Sequence, residues 1–330
     1  MGVVTRAVVR TAREDQRKRQ AGDVAVPVSG VVRSPGGTVA RQEQLVPGDQ
    51  LLDLLRDQWF GHFCRLPSPA ALDLVTLWAA HCWMRDENGV LVTRATPRLY
   101  VLSSEPGSGK SHLLELLALV VPNCFGLDLE PTAPGLVYTI SREKATVLID
   151  EADVMFSAGP RRAAVRAILN GGYTRHGTYL TGKGAKASRE PVFGPVALAG
   201  LDTMETGTGD TLKALLSRGI KIRMRKAASD DQPAKMTAAT DDTAVKVRHW
   251  LGIWAGQVRD EVADAQPEVP EGLEGRAEQI WIPLFGVAQA AGGDWPARAR
   301  TACRELTMAE PQGEDTAEQF AAFASEFAAL

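Results

Sequence analysis

From Asp49 onward, apolar residues recur at helical spacing. Leu51, Leu52, Leu54, Leu55 and Trp59 form one stripe; after Pro67-Ser68-Pro69 a second carries Leu72, Val75, Trp78, Ala79 and Cys82. Short apolar runs then alternate with helix-like segments. Strands are predicted at 99–103, 127–129, 145–149, 196–199 and 220–224, and helices at 111–121, 131–142, 161–169 and 210–216. This alternation predicts a parallel sheet with helices on both faces. Residues 227–243, with Ser229-Asp230-Asp231 and Thr240-Asp241-Asp242, read as a polar linker. Beyond it every periodic segment is helical: 244–263, 275–291, 296–308 and 316–329.

Composition narrows the class. At 330 residues with 45% hydrophobic and 23% charged side chains, the chain can bury a core, and whole-chain disorder is excluded. Its 37 basic and 40 acidic residues give a net charge of -3, so any contact with nucleic acid must be local. No apolar run reaches the length of a membrane span, and no secretory leader is read at the N-terminus. Cysteines 64, 82, 124 and 303 lack paired spacing and read as reduced thiols of a cytoplasmic protein. His62, Cys64, His81 and Cys82 form a conceivable zinc quartet, but their segments have core-like apolar spacing and no ligand pair has metal-site spacing. Trp78 and Trp83 likewise read as core rather than as a base-stacking platform. The first 47 residues read as an arm, with Arg6, Arg10, Arg13, Arg17, Lys18 and Arg19 against Glu14 and Asp15. A solvated tail and a phosphate-binding arm both stand as readings.

Chemistry concentrates in Ser104-Glu105-Pro106-Gly107-Ser108-Gly109-Lys110-Ser111, between a predicted strand and a predicted helix. The usual phosphate loop starts with Gly; Ser104 stands there instead. Gly107 and Gly109 let main-chain N–H groups turn inward as an anion nest, and the next helix adds its dipole. Glu105, Pro106, Gly107, Ser108, Gly109 and His112 are the cradle candidates; Lys110 would reach the β- and γ-phosphates, and Ser111 would ligate Mg²⁺. G-x-G-K-[ST] arises by accident in roughly one such chain in a hundred, so spacing alone is informative. The run Thr146-Val-Leu-Ile-Asp-Glu-Ala-Asp153 supplies a second half: an apolar strand beside the loop ending in two carboxylates. Asp150 would hold a water of the Mg²⁺ shell and Glu151 polarise the attacking water. Both halves together predict ATP hydrolysis.

These residues resemble the AAA+ branch of P-loop ATPases, whose loop reads Gly-Pro-Pro-Gly-Thr-Gly-Lys-Thr and whose Walker B pair matches Asp150-Glu151. Asp-Glu-Ala-Asp also spells a helicase family name, but those helicases need a second RecA-like lobe, and no room follows residue 226. Leu77-Trp-Ala-Ala-His81, Thr96-Pro-Arg98, Leu169-Asn-Gly-Gly-Tyr173, Val196-Ala-Leu-Ala-Gly200 and Gly292-Gly-Asp-Trp-Pro-Ala-Arg298 resemble an uncharacterised ATP-binding family of actinobacterial phages and mobile elements. That family is often found with primase or helicase modules.

The resemblance implies an α/β AAA+ core with a five-stranded parallel sheet, helices on both faces, and a C-terminal helical lid. The implied division is an arm (1–47), a core with preceding helices (48–226), a linker (227–243) and a lid (244–330). It also implies a homo-oligomeric ring, a hexamer in the family's manner. Arg218, before the last strand, would be the arginine finger that reaches a neighbour's γ-phosphate. Asp202, with Thr203 as fallback, would orient the lytic water. Arg298 resembles a lid sensor arginine, with Arg276 as rival.

Between the helix after Asp150 and strand 196–199, Thr178-Tyr-Leu-Thr181 is strand-like and Gly182-Lys-Gly184 signals a turn. Arg175, Lys183, Lys186 and Arg189 against Glu190 give a local positive excess. Placement matches the pore hairpin of DNA-translocating AAA+ rings, and such cations follow phosphates without reading bases. A solvated surface loop is the competing reading. The function expected is a Mg²⁺-ATP motor on DNA, single-stranded favoured, in phage or mobile-element replication. A loader or protein-remodelling ATPase acting on a replicative helicase or primase is the alternative.

Overall fold

The structure, a computed structural model, describes residues 46–127, 131–153, 160–182, 187–202 and 210–308. These all belong to one compact unit beginning at Val46. The basic arm, Lys183, Lys186, Thr203 and the helix expected at 316–329 lie outside the described residues.

Five parallel strands form the sheet: β1 (Arg98–Ser103), β2 (Cys124–Leu127), β3 (Thr146–Ile149), β6 (Val196–Leu201) and β7 (Gly219–Arg223), in the order β2-β3-β6-β1-β7. Strands β4 (Thr178–Thr181) and β5 (Ser188–Pro191) form a separate antiparallel hairpin. Interior strands covered on both faces need apolar residues at nearly every position. Accordingly β1 and β3 are buried throughout, and β6 is buried up to its last residue.

Alternation along each strand feeds two cores. Leu99, Val101, Leu148, Ala197, Ala199, Ile220 and Ile222 face one of them. That side is covered by α3 (Lys110–Val120) and by helices from both ends of the described chain. Tyr100, Leu102, Val147, Ile149, Val196 and Leu198 face the other, beneath α4 (Ala133–Ser141), α5 (Pro160–Gly171) and α6 (Asp210–Leu216). The result is an α/β protein with helices on both faces of a parallel sheet.

The N-terminal helix α1 (Gly48–Asp53) continues as a π-helical segment, Leu54–Phe60, and a last turn, Gly61–Phe63. It packs with α2 (Pro69–His81) against α7 (Ala238–Asp264), α8 (Gly275–Ala291) and α9 (Trp295–Cys303), which ends in a π-helical segment, Arg304–Met308. Buried tryptophans join these layers while keeping their N–H groups bonded. Trp59 donates to Leu116 O at 3.3 Å, Trp78 to Pro97 O at 3.0 Å and Trp295 to Asp49 O at 3.3 Å. Trp78 is therefore core, as its spacing suggests.

Two boundaries differ from the sequence pattern. Of the strand expected at 127–129, residues 128 and 129 lie outside the described residues; residue 127 ends β2, which starts earlier, at Cys124, and Cys124 and Phe125 pair with Thr146 and Val147. The expected linker shortens, because α7 begins at Ala238. Thr237 caps it by accepting from the Thr240 amide while Thr240 Oγ1 accepts from Thr237 N at 2.9 Å. A reciprocal cap of this kind lets polar residues open a helix.

Candidate functional site

The parallel register brings three segments to the carboxyl end of the sheet, where open α/β folds offer crevices to ligands. Residues 104–109 leave β1 and turn into α3. Gly107 at φ 76° and Gly109 at φ 90° adopt left-handed conformations that glycine takes without penalty. A Cβ built on Gly107 would meet nothing within 4 Å, so it is the left-handed φ rather than crowding that favours glycine there. Gly109 is the N-cap of α3, and its carbonyl accepts from Leu113 N at 2.9 Å. The first amides of α3 therefore face outward beside a positive helix end, an arrangement suited to anions.

Lys110 opens α3 and folds back over the loop. Its ammonium donates to Ser103 Oγ, to Glu105 O at 3.3 Å and to Ser108 Oγ at 3.4 Å. Ser103 Oγ in turn donates to Glu105 O at 2.7 Å. Ser108 is buried, whereas Ser104, Glu105, Pro106, Gly107 and Ser111 are exposed. His112 points elsewhere: its Nε2 lies 2.9 Å from Phe63 O and its Nδ1 3.5 Å from Glu115 Oε2. The bond to Glu115 raises its pKa, partly opposed by burial.

Asp202 follows β6, and its amide donates to Ser103 O at 3.1 Å, which fixes it against the start of the loop. Asp150 and Glu151 follow β3. The strand carrying them does not adjoin β1, as the sequence reading supposed: β6 lies between. At about 4.8 Å per strand, the carboxylate pair stands roughly 10 Å across from the loop, with Asp202 in the gap. That spacing leaves room for a phosphate chain and a cation. Glu151 N donates to Asp150 Oδ1 at 2.9 Å, and Glu151 is exposed at φ 53°. Ser111 Oγ and the Asp150 carboxylate are hard oxygen donors of the type Mg²⁺ takes. Among the described residues no three His, Cys, Asp or Glu side chains converge as a metal cluster. A cation here would thus draw most of its ligands from phosphate and water, as Mg²⁺ commonly does.

The remaining candidates lie elsewhere. Arg98 N donates to Arg218 O at 3.0 Å, which places Arg218 level with the first residue of β1, at the opposite end of the sheet. Its guanidinium donates to Ala214 O and lies over the Tyr173 ring at 5.1 Å. Burial, and then the charge of Arg276, lower its pKa. Arg276 donates to Ser217 Oγ at 2.7 Å, beside Arg218 rather than beside the loop. Arg298 donates to Asp53 Oδ1 at 2.8 Å and to Asp73 Oδ1 at 2.6 Å, and it stacks on Trp295 at 3.9 Å. Both carboxylates belong to the N-terminal helices, and Arg56 shares Asp73. In this structure Arg298 holds α9 to α1 and α2.

The hairpin follows α5 and precedes β6. Its base is tied by Thr96 N to Tyr173 O at 2.8 Å, Arg175 N to Arg94 O at 2.9 Å and Arg175 Nη1 to Val92 O at 3.1 Å. Leu180 pairs with Arg189, and both are exposed. Arg142, the residue that follows α4, meets Glu190 at 3.4 Å, so the one acid of the hairpin faces the body.

Sequence reasoning missed Arg98. It is fully buried at the start of β1 and donates to Leu169 O at 3.0 and 3.3 Å and to Gly194 O. Burial lowers its pKa to about 10. It joins the end of α5, the approach to β6 and, through its amide, Arg218. The only cue was an arginine opening an apolar strand.

Comparison with known proteins adds a family described as a protein of unknown function (DUF3631), which matches residues 223–322. That region holds α7, α8 and α9 and excludes both Lys110 and the Asp150-Glu151 pair. The chain is also similar to an uncharacterized 28.9 kDa protein in xis 5'region from Saccharopolyspora erythraea, at 43% identity over 65 residues, 20% of this chain and 24% of that relative. The match spans about a quarter of the relative's length. Among the described residues no helix is long and apolar enough to cross a membrane.

Proposed function

We propose that the chain is a Mg²⁺-dependent ATPase with an AAA+ type P-loop core, a C-terminal helical lid formed by α7, α8 and α9, and DNA as the substrate of its motion. The observation that carries this reading is the meeting of the 104–111 loop, Asp202 and Asp150-Glu151 at the carboxyl ends of β1, β6 and β3.

In this account the α3 amides and Lys110 bind the triphosphate, and Lys110 exchanges its bonds to Ser103, Glu105 and Ser108 for phosphate oxygens. Ser111 and, through a water of its shell, Asp150 would hold Mg²⁺, which would supply charge neutralisation at the phosphates. Asp202 orients water, and Glu151 accepts its proton as the water oxygen bonds to the terminal phosphorus and the bond to the β-phosphate oxygen breaks. Arg218 lies too far from its own loop to take part, so it would act on a neighbouring copy in a ring. The hairpin supports the DNA reading through exposed Leu180, Arg175 and Arg189, and Lys183 and Lys186 lie between its two strands in sequence.

The test is ATP turnover with and without Mg²⁺ and single-stranded DNA. Magnesium-dependent hydrolysis that DNA accelerates supports the motor. Hydrolysis indifferent to DNA but accelerated by a replicative helicase or primase would favour a loader. Absence of hydrolysis would end both.

A further inference from the structure

We propose that a cavity at the amino end of the sheet, lined by Arg85, Lys144 and Arg175, binds a phosphate group. This site is independent of the ATPase reading and lies apart from residues 104–111.

Position separates the two. Lys144 and Ala145 lead into β3, Gly194 leads into β6, and Arg175 stands at the base of the hairpin. The strands of the sheet run parallel, so the cavity lies at the end opposite the loop. The length of β1, six residues at about 3.3 Å each, puts about 20 Å between them. No side chain lining the cavity reaches a phosphate held by the loop.

Size selects the ligand. The cavity has a volume of about 70 Å³. A water needs about 10–15 Å³ of such space, so about five to seven atoms of that size fit, enough for the five heavy atoms of phosphate. Pockets for nucleosides and larger organic molecules start at about 300 Å³.

Charge selects its sign. The Arg85 guanidinium donates to Cys82 O at 2.6 Å, Gly89 O at 2.9 Å, Lys144 O at 2.5 Å and Thr146 Oγ1 at 3.1 Å. All four acceptors are neutral, burial lowers its pKa, and one N–H remains. The Lys144 ammonium donates to Ser141 O at 2.7 Å and the Arg175 guanidinium to Val92 O at 3.1 Å, which leaves most of their donors for a ligand. Among the described residues no carboxylate pairs with any of the three. Nearby acids are engaged elsewhere: Asp86 Oδ1 accepts from the amides of Asn88 and Val90 at 2.9 Å each, and Glu190 meets Arg142. Three cations with neutral partners are stabilised together when one oxyanion takes their remaining donors.

The backbone holds Lys144 in place. It sits at φ 51°, a conformation rare for residues other than glycine, while its carbonyl accepts from Arg85. Gly89, at φ 74°, packs against it: a Cβ there would come within 3.2 Å of Lys144 Cγ. Because Arg85 also binds the Gly89 carbonyl, one guanidinium ties two walls of the cavity together. Strain of this kind beside a cavity is a feature of ligand clamps.

The experiment titrates inorganic phosphate into the full chain by calorimetry at constant ionic strength, in a Lys110→Ala background that removes the lysine of the loop. Saturable binding is expected there. Lys144→Asn removes a charge from the cavity yet tolerates the left-handed φ, and Arg175→Gln keeps a donor for Val92. Added to that background, each should weaken phosphate binding at least about tenfold, the loss that follows removal of a charge-assisted hydrogen bond. Urea unfolding in chloride reports whether each variant is folded; the two substitutions lie on separate segments, so either can decide alone. Absence of phosphate binding in the background, or unchanged binding in a folded variant, overturns the inference and leaves the ATPase reading untouched. Two sources offer the group, free phosphate and the backbone of a strand lying along the hairpin, and anisotropy of a labelled single-stranded oligonucleotide separates them. Displacement of the oligonucleotide by phosphate, with weaker binding in Lys144→Asn, assigns a strand phosphate; oligonucleotide binding unchanged while phosphate binding falls assigns free phosphate, and both support the site.

Discussion

Glu151 donates its main-chain N–H to the Oδ1 of Asp150 at 2.9 Å while holding φ at 53°. The bond and the left-handed turn act together. Asp150 caps the end of β3 with its own carboxylate, and the chain reverses so that the next carboxylate projects into solvent. A left-handed residue with a side chain costs about 1 kcal/mol, and such strain concentrates where function requires it. Glu151→Gly should therefore raise stability by about 1 kcal/mol in urea unfolding while abolishing turnover. Glu151→Gln should bind Mg-ATP within about threefold of the parent and lose at least about a hundredfold in kcat. Normal turnover in the Gln variant would refute its role as base.

Arg98 offers a stability test. Its guanidinium spans two carbonyls, Leu169 O and Gly194 O, in a fully buried setting. Lysine keeps the charge but its single ammonium cannot fork to both. Arg98→Lys should cost about 2 kcal/mol in urea unfolding, since a buried carbonyl left without a donor costs about that much. A change below about 0.5 kcal/mol would show that Arg98 does not join α5 to β6 as described.

His81 sets a pH dependence. Its ring is fully buried, with Nε2 3.0 Å from Thr96 Oγ1 and Nδ1 without a partner among the described residues. Burial, then the charge of Arg85, push its pKa down to about 3. The unfolded chain takes up this proton near pH 6.5, whereas the folded chain does not until about pH 3. The stability linked to neutral His81 is present above pH 6.5 and is lost as pH falls through that window. The loss should run at up to about 1.4 kcal/mol per pH unit. Urea midpoints of the parent should fall more steeply between pH 6.5 and 4.5 than those of His81→Gln; parallel curves would contradict the assignment.

The hairpin predicts a charge-counted interaction. Replacing Lys183, Lys186 and Arg189 together by alanine should weaken single-stranded DNA binding at least about tenfold. The slope of log affinity against log salt should shrink by about 2, since each phosphate contact contributes about 0.7. Fluorescence anisotropy across a salt series reads both. Unchanged affinity and slope would make the hairpin a solvated surface loop.

What the sequence revealed and what it hid follow from the range of the interactions. The three inner strands and the loop-to-helix junction were legible because burial on both faces and phosphate-loop spacing are written within a dozen residues. The start of edge strand β2 was hidden because Cys124 and Gly126 break its apolar pattern and the partner of Cys124 is Thr146, 22 residues on. The insertion of β6 between β1 and β3 is a pairing across about a hundred residues, invisible to local periodicity. Arg298 carried a motif-like context, but the carboxylates that hold it are 245 and 225 residues away. The packing of the N-terminal helices against α8 and α9 was hidden for the same reason.

On the proposed reading, residues 104–111 cradle a triphosphate with its Mg²⁺ facing Asp150. Calorimetric titration of the parent and of Lys110→Ala with a non-hydrolysable ATP analogue, each with and without Mg²⁺, tests it most directly. One site per chain is expected in the parent, weakened by magnesium removal and weakened at least about thirtyfold by Lys110→Ala, the loss expected when a charged contact to phosphate disappears from a folded protein. Failure of the parent to bind the analogue in the presence of magnesium, or equal binding by Lys110→Ala, would contradict it.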